Sequence, residues 1–134
     1  ENISIPSCVT KIECNAFSEC ICLKTIEFSK KSELNSVGSR LFYNSSLKRV
    51  LIPSKIKQMG RSFFYQCDKL ESIEFLSDEL IFIERTFVAC KKLSIVLFSN
   101  AKKVTFGMDV FQQVPSDCLF FFRTGAEVKI EILL

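Results

Sequence analysis

Short alternations of apolar and polar residues recur along the chain at nearly constant intervals. Leu23-Lys24-Thr25-Ile26-Glu27-Phe28, Leu47-Lys48-Arg49-Val50-Leu51-Ile52, Leu70-Glu71-Ser72-Ile73-Glu74-Phe75 and Leu93-Ser94-Ile95-Val96-Leu97-Phe98 share one pattern. Each ends on an apolar pair two residues apart: Ile26 and Phe28, Val50 and Ile52, Ile73 and Phe75, Val96 and Phe98. Period two predicts short strands that aim each pair at one face. A polar turn, a second apolar pair and then a Phe follow each strand. Cys20, Cys67 and Cys90 lie three residues beyond Phe17, Phe64 and Phe87.

Aligned on Phe17, Phe42, Phe64, Phe87 and Phe111, the units are spaced by 25, 22, 23 and 24 residues, within the leucine-rich-repeat range. This divides the chain into repeats over about 3–22, 23–46, 47–69, 70–92 and 93–117, with closing strands or a cap over 118–134. One unit cannot bury its apolar row, but stacked units bury it as a continuous core. The second apolar pairs include Leu80 with Ile83, and Ile81 and Phe82 are candidates for exposure on that strand. Pro6 and Pro53, directly after strands, supply no N–H and stop the ladder there. Gly38, Gly60 and Gly107 are expected at tight corners that need freedom of φ. Phe followed three residues later by Cys suits a short helical or 3₁₀ turn.

The unit resembles the BspA-type (Treponema-type) leucine-rich repeat, Leu-x-x-Ile-x-Ile/Leu-Pro-x-x-Val-x-x-Ile-Gly-x-x-Ala-Phe-x-x-Cys. Ile5-Pro6-Ser7-Cys8-Val9-Thr10-Lys11-Ile12 through Ala16-Phe17 and Cys20 is a near match, as is Leu47 through Gly60, Phe64 and Cys67. The resemblance covers residues 3 to 111. It departs at Ser45, where Cys is usual, in a fourth unit one residue short before Phe87, and in an irregular fifth unit. It implies a leucine-rich-repeat solenoid, mostly parallel β with short helical or 3₁₀ turns, of about five repeats plus a C-terminal capping segment. It also implies adhesion, since many relatives are surface proteins that contact host cells or matrix.

Composition narrows the chemistry. Fourteen Phe against two Tyr and no Trp points to positions that want a large ring with no polar group to satisfy. The net charge of +3 is mild and its Lys and Arg are scattered, so no nucleic-acid partner is expected. The apolar run Cys118 to Phe122 is far too short to cross a bilayer, so no membrane insertion is expected within this segment. The chain opens at Glu1 with Ile3-Ser4-Ile5-Pro6 already repeat material, so it is expected to be a piece of a longer protein.

There is no histidine, which removes Ser-His-Asp and Cys-His nucleophile pairs and every His-containing zinc site. Glu27 and Glu74 occupy corresponding outward positions two units apart, as solvated surface charges. The seven cysteines include no CxxC and fit no standard zinc spacing. Neither catalytic residues nor a cofactor or metal site is expected. Cys67 and Cys90 read either as buried free thiols acting as small hydrophobes or as a bridge between neighbouring coils about 4.8 Å apart. Cys20, two coils from Cys67 and roughly 10 Å away, is beyond disulfide reach. Sequons occur at Asn2 and Asn44, and Asn44 falls in an expected loop where a glycan is possible on an exported protein.

The outward strand positions are Thr25 and Glu27, Arg49 and Leu51, Ser72 and Glu74, and Ile95 and Leu97. Polar surface gives way to apolar surface around Leu51, Ile95 and Leu97. Two readings stand: an exposed patch for a partner protein, or a surface covered by the tail from Phe120 to Leu134. The expected function is a non-catalytic protein-binding solenoid, with adhesion to a host-cell or matrix protein at the cell surface or after secretion. The alternative is an intracellular leucine-rich-repeat scaffold.

Overall fold

The alternating runs form strands, and each strand pairs in parallel with its equivalent in a neighbouring coil. The computed structural model describes residues 1–130. They wind into six coils of a β-solenoid, each with two strands. These are β1 (Asn2–Ile5) and β2 (Lys11–Ile12), β3 (Thr25–Phe28) and β4 (Ser36–Val37), and β5 (Arg49–Ile52) and β6 (Gln58–Met59). Then come β7 (Ser72–Phe75) and β8 (Glu79–Phe82), β9 (Ile95–Phe98) and β10 (Lys103–Phe106), and β11 (Leu119–Phe122) and β12 (Glu127–Ile130). The closing segment supplies the expected strands, β11 and β12, and these add a sixth pair to the five repeats. Residues 131–134 of that segment lie outside the described ones.

Odd-numbered strands make one column and even-numbered strands a second. Neither column is continuous: β5, β7, β9 and β11 form one four-stranded sheet and β6, β8, β10 and β12 another, while β1 pairs only with β3 and β2 only with β4. The ladders are thus open between the second and third coils on both strand sides.

In the first five coils the third side closes the solenoid around a Phe. Phe42, Phe64 and Phe87 are fully buried, while Phe17 and Phe111 at the two ends are half-buried. Their rings stack coil upon coil, with centroids 5.8, 5.5, 5.7 and 5.7 Å apart from Phe17 to Phe111. No helix occurs here among the described residues. Each Phe instead sits in consecutive tight turns closed by bonds such as Tyr65 N–H to Ser62 O (3.2 Å) and Cys67 N–H to Phe64 O (3.1 Å).

Two residues before and two after each Phe, the backbone is left-handed. Asn15, Glu19, Arg40, Asn44, Ser62, Gln66, Arg85, Ala89, Asp109 and Gln113 all have φ between 50° and 61°. This alternation points every second N–H at the next coil. Arg40, Phe42 and Asn44 donate to the carbonyls of Arg61, Phe63 and Tyr65 at 3.0, 3.0 and 2.8 Å, and the same trio recurs from the first, third and fourth coils. Side chains other than Gly are strained at such φ by about 1–2 kcal/mol each, so the inter-coil bonds hold them there. Ala89 gains nothing from a side-chain hydrogen bond. Ala89→Gly is therefore expected to stabilise by about 0.5–1 kcal/mol after allowing for the entropy of glycine. A raised urea midpoint at unchanged slope would register this; a lowered one would show that the methyl packing of Ala89 outweighs the strain.

The corner glycines serve another purpose than the one expected. Gly38, Gly60 and Gly107 have no positive φ. A Cβ on Gly38 would lie 2.2 Å from Cys14 N, and one on Gly107 would lie 1.5 Å from Ile83 O. Glycine is required because neighbouring backbones touch, not because the corner twists. The fourth coil also corrects one assignment. Its second buried pair is Leu80 with Phe82, and Ile83 is exposed. Of the two residues considered for exposure there, Ile81 is exposed and Phe82 is buried.

Candidate functional site

The pleat of the first strand column sets up an outward ladder. Arg49, Ser72, Ile95 and Leu119 are in register along one row, and Leu51, Glu74, Leu97 and Phe121 along the next. Thr25 and Glu27 point outward on β3, but they are in register with Asn2 and Ser4 of β1 and lie across the open ladder from the rest. The eight outward positions are therefore split into a pair and a group of six.

The tail to residue 130 does not fold back over the ladder. It extends it: β11 pairs with β9 and adds Leu119 and Phe121, 55% and 51% exposed, beside Ile95 and half-buried Leu97. Leu51, 43% exposed, is separated from this cluster by Glu74, whose carboxylate accepts from Ser99 Oγ at 2.5 Å. Sequence reading missed Leu119 and Phe121, although the strand alternation of Leu119-Phe120-Phe121-Phe122 carried the signal. Phe122 is the inward partner, stacked on Phe98 at 4.7 Å.

Where β3 and β5 part, a cavity of about 490 Å³ opens. Ile26, Phe28, Leu51, Pro53 and Leu76 give it apolar walls, and Lys30 stands at its rim. A Lys55–Glu33 ion pair spans the two coils at the adjoining corner.

All seven cysteines are free thiols. Cys67 and Cys90 are fully buried and are more than small hydrophobes. Cys67 Sγ donates to Phe42 O at 2.9 Å and lies 3.6 Å from Ser45 Oγ, while Cys90 Sγ donates to Phe64 O at 3.1 Å. Each thiol thus ties its turn to the Phe carbonyl of the preceding coil. Burial pushes Cys67 up to about 11, against the pull of its hydrogen bond from Ser45, and raises Cys90 as well. Only about 0.1% of Cys67 is then thiolate at pH 8, and the thiolate is the reactive form. Iodoacetamide at that pH should label exposed Cys8, Cys14 and Cys22 in the native protein, and Cys67 and Cys90 only after unfolding. Peptide mass mapping checks this, and rapid native labelling of Cys67 would mean that its coil opens readily.

Asn44, the candidate glycan site, is exposed on the third side at φ 50°. Among the described residues, no three His, Cys, Asp or Glu side chains gather into a metal-binding group, and no helix is long and apolar enough to cross a membrane.

A profile of the BspA type leucine-rich repeat region matches residues 1–116 in six copies. Among curated proteins, none matches this chain. Among solved structures, the chain is similar to the pneumococcal vaccine antigen PcpA, with 25% identity and a TM-score of 0.73 over 93% of this chain and 31% of that one. It is also similar in fold to a leucine-rich repeat protein from Bacteroides ovatus, at 22% identity and a TM-score of 0.65 over 95% of this chain and 35% of that one. The chain spans about a third of the length of each.

Proposed function

The chain belongs to the BspA-type leucine-rich repeat family, and from that premise we infer that it is a non-catalytic module that binds a partner protein through its outward ladder. The observation that carries this reading is the contiguous apolar group of Ile95, Leu97, Leu119 and Phe121, in register and uncovered by any described residue. Exposed apolar groups of this kind are commonly partner sites. Thr25, Glu27, Arg49, Ser72 and Glu74 supply the polar margin, and Leu51 is a separate apolar contact beyond Glu74. Similarity to a pneumococcal vaccine antigen supports a surface or secreted location and adhesion to a host-cell or matrix protein.

Leu97→Asp tests the ladder. The probes are immobilised fibronectin, laminin and collagen, together with epithelial cell monolayers. Retention of the chain on one of them is expected to fall at least about ten-fold with the melting temperature nearly unchanged, a loss of about 1.4 kcal/mol of binding. Failure of the wild-type chain to bind any of them would overturn adhesion. Unfolding of the variant would show Leu97 to be core.

One observation favours an intracellular scaffold instead: seven thiols, none of them bridged. Disulfides form in oxidising compartments and are rare in reducing ones. A glycan on Asn44 in material from the native source would overturn the scaffold reading.

A further inference from the structure

The open ladder between the second and third coils falls where a long corner meets a proline. The long corner alone does not open it, because β1–β3 and β2–β4 pair across the same length difference. The corner after β3 holds seven residues, 29–35, whereas the corners after β1 and β5 hold five, 6–10 and 53–57. The longer corner closes on itself: Ser32 N–H donates to Ser29 O at 2.9 Å, Lys31 N–H to Ser29 Oγ at 3.2 Å and Leu34 N–H to Ser32 Oγ at 3.3 Å. On the facing coil, Pro53 stands where a donor is needed. The equivalent N–H of Ser29 bonds to Ile5 O at 3.4 Å, and that of Leu76 bonds to Ile52 O at 3.1 Å, but proline has no N–H to give.

Two strand edges therefore face each other unpaired. The alternation of a parallel ladder directs the main-chain groups of Ile26 and Phe28 from β3, and of Arg49 and Leu51 from β5, into the opening. Main-chain N–H and C=O groups need partners. The group that satisfies two facing strand edges at once is another extended backbone, which presents donors and acceptors alternately to both sides. The apolar cavity at the same opening is large enough for one side chain of that strand. Glu27 and Lys30 at its rim carry opposite charges, so the opening selects by main chain and shape rather than by net charge.

We propose that this opening is a peptide slot, which takes one extended strand of a partner protein between β3 and β5 and seats one of its apolar side chains against Ile26, Phe28, Leu51, Pro53 and Leu76. The assignment rests on the protein-binding reading and specifies the partner's chemistry. Entry widens the opening to about two strand spacings, near 10 Å. The third side serves as the pivot, because the bonds of Arg40, Phe42 and Asn44 to the next coil do not involve the strands. Widening separates Lys55 from Glu33, an exposed ion pair of the kind that contributes little.

Peptides selected from a phage-displayed library of random dodecapeptides on the immobilised chain are the probe. Two variants close the slot: deletion of Lys30 and Lys31 combined with Pro53→Ser, which equalises the corners and restores the donor, and Ser54→Trp, which fills the cavity mouth. Selected peptides are expected to bind each variant at least about ten-fold more weakly. Methylating alternate peptide nitrogens should weaken binding in both parities, because each set of amides bonds one of the two edges. Loss in one parity only would show pairing with a single edge and overturn the slot. The amides of Ile26 and Leu51 should gain exchange protection. If the deletion fails to fold, Ser54→Trp carries the test. Peptides that bind both variants as well as wild type would overturn the slot, and a simultaneous loss with Leu97→Asp would return binding to the outward ladder. A library that yields no binder also overturns the slot, while the ladder still stands or falls by Leu97→Asp alone.

Discussion

Phe64→Ala is expected to cost about 3–5 kcal/mol of folding free energy, the usual range for emptying a buried aromatic site. The ring is fully buried. It lies nearly parallel between Phe42 at 5.5 Å and Phe87 at 5.7 Å, with the edge of Phe63 at 4.9 Å. Removing it therefore loosens two coil interfaces at once, and the stacked pairs add about 0.5–1.5 kcal/mol each beyond their buried area. Nothing in a one-ring-thick spine can slide in to refill the space without breaking the bonds of its own turn. Chemical unfolding measures the loss. A value below about 1 kcal/mol would mean that the stack is not what holds the coils together. Phe17→Ala, at a half-buried end with one stacked neighbour, should cost clearly less.

The second large effect belongs to a residue with no side chain. Gly107→Ala would place a methyl 1.5 Å from Ile83 O and 2.8 Å from Phe82 O, both of them backbone atoms. The same residue donates its N–H to Phe82 O at 2.7 Å, so the coils cannot part to make room without losing that bond. Overpacking costs about 1–3 kcal/mol where side chains can move, and a lost hydrogen bond about 1 kcal/mol more. With only backbone available to yield, at least about 3 kcal/mol is expected. Gly125→Ala supplies the contrast: φ is +80° there and no atom lies within 4 Å of the added methyl, so strain alone should cost about 1 kcal/mol. Urea midpoints for the two variants decide the matter. The reverse order would show that the backbone contact at Gly107 relaxes at little cost.

The strands and the Phe spine were legible because both follow from spacing: two residues between inward side chains, and 22 to 25 between coils. The outward ladder was legible for the same reason up to Leu97. It was cut short there because the units were counted on their Phe anchors, the last of which is Phe111, although Leu119 and Phe121 keep the alternation. Ile83 was placed inward by the three-residue spacing seen in Ile56 and Met59, but Phe82 is the residue in register with Met59, so the alternation of β8 turns Leu80 and Phe82 inward. The left-handed columns had no signal to find. Asn, Glu, Arg, Ser, Gln, Ala and Asp share no preference strong enough to mark them, and the conformation is imposed by bonds to the next coil. The open ladder was half visible: Pro53 and the 25-residue interval from Phe17 to Phe42 were on the page, but that the two disturbances face each other emerges only when the coils are stacked.

In a linear stack, each layer communicates only with the layers above and below it, so the whole behaves as one unit only if every junction is about equally strong. The junction between the second and third layers keeps its turn-side bonds and lacks both strand ladders. Warming should therefore release the first two layers as a block before the remaining four. The molecule would melt in two steps, with its N-terminal end acting as a detachable leaf on a firmer stem.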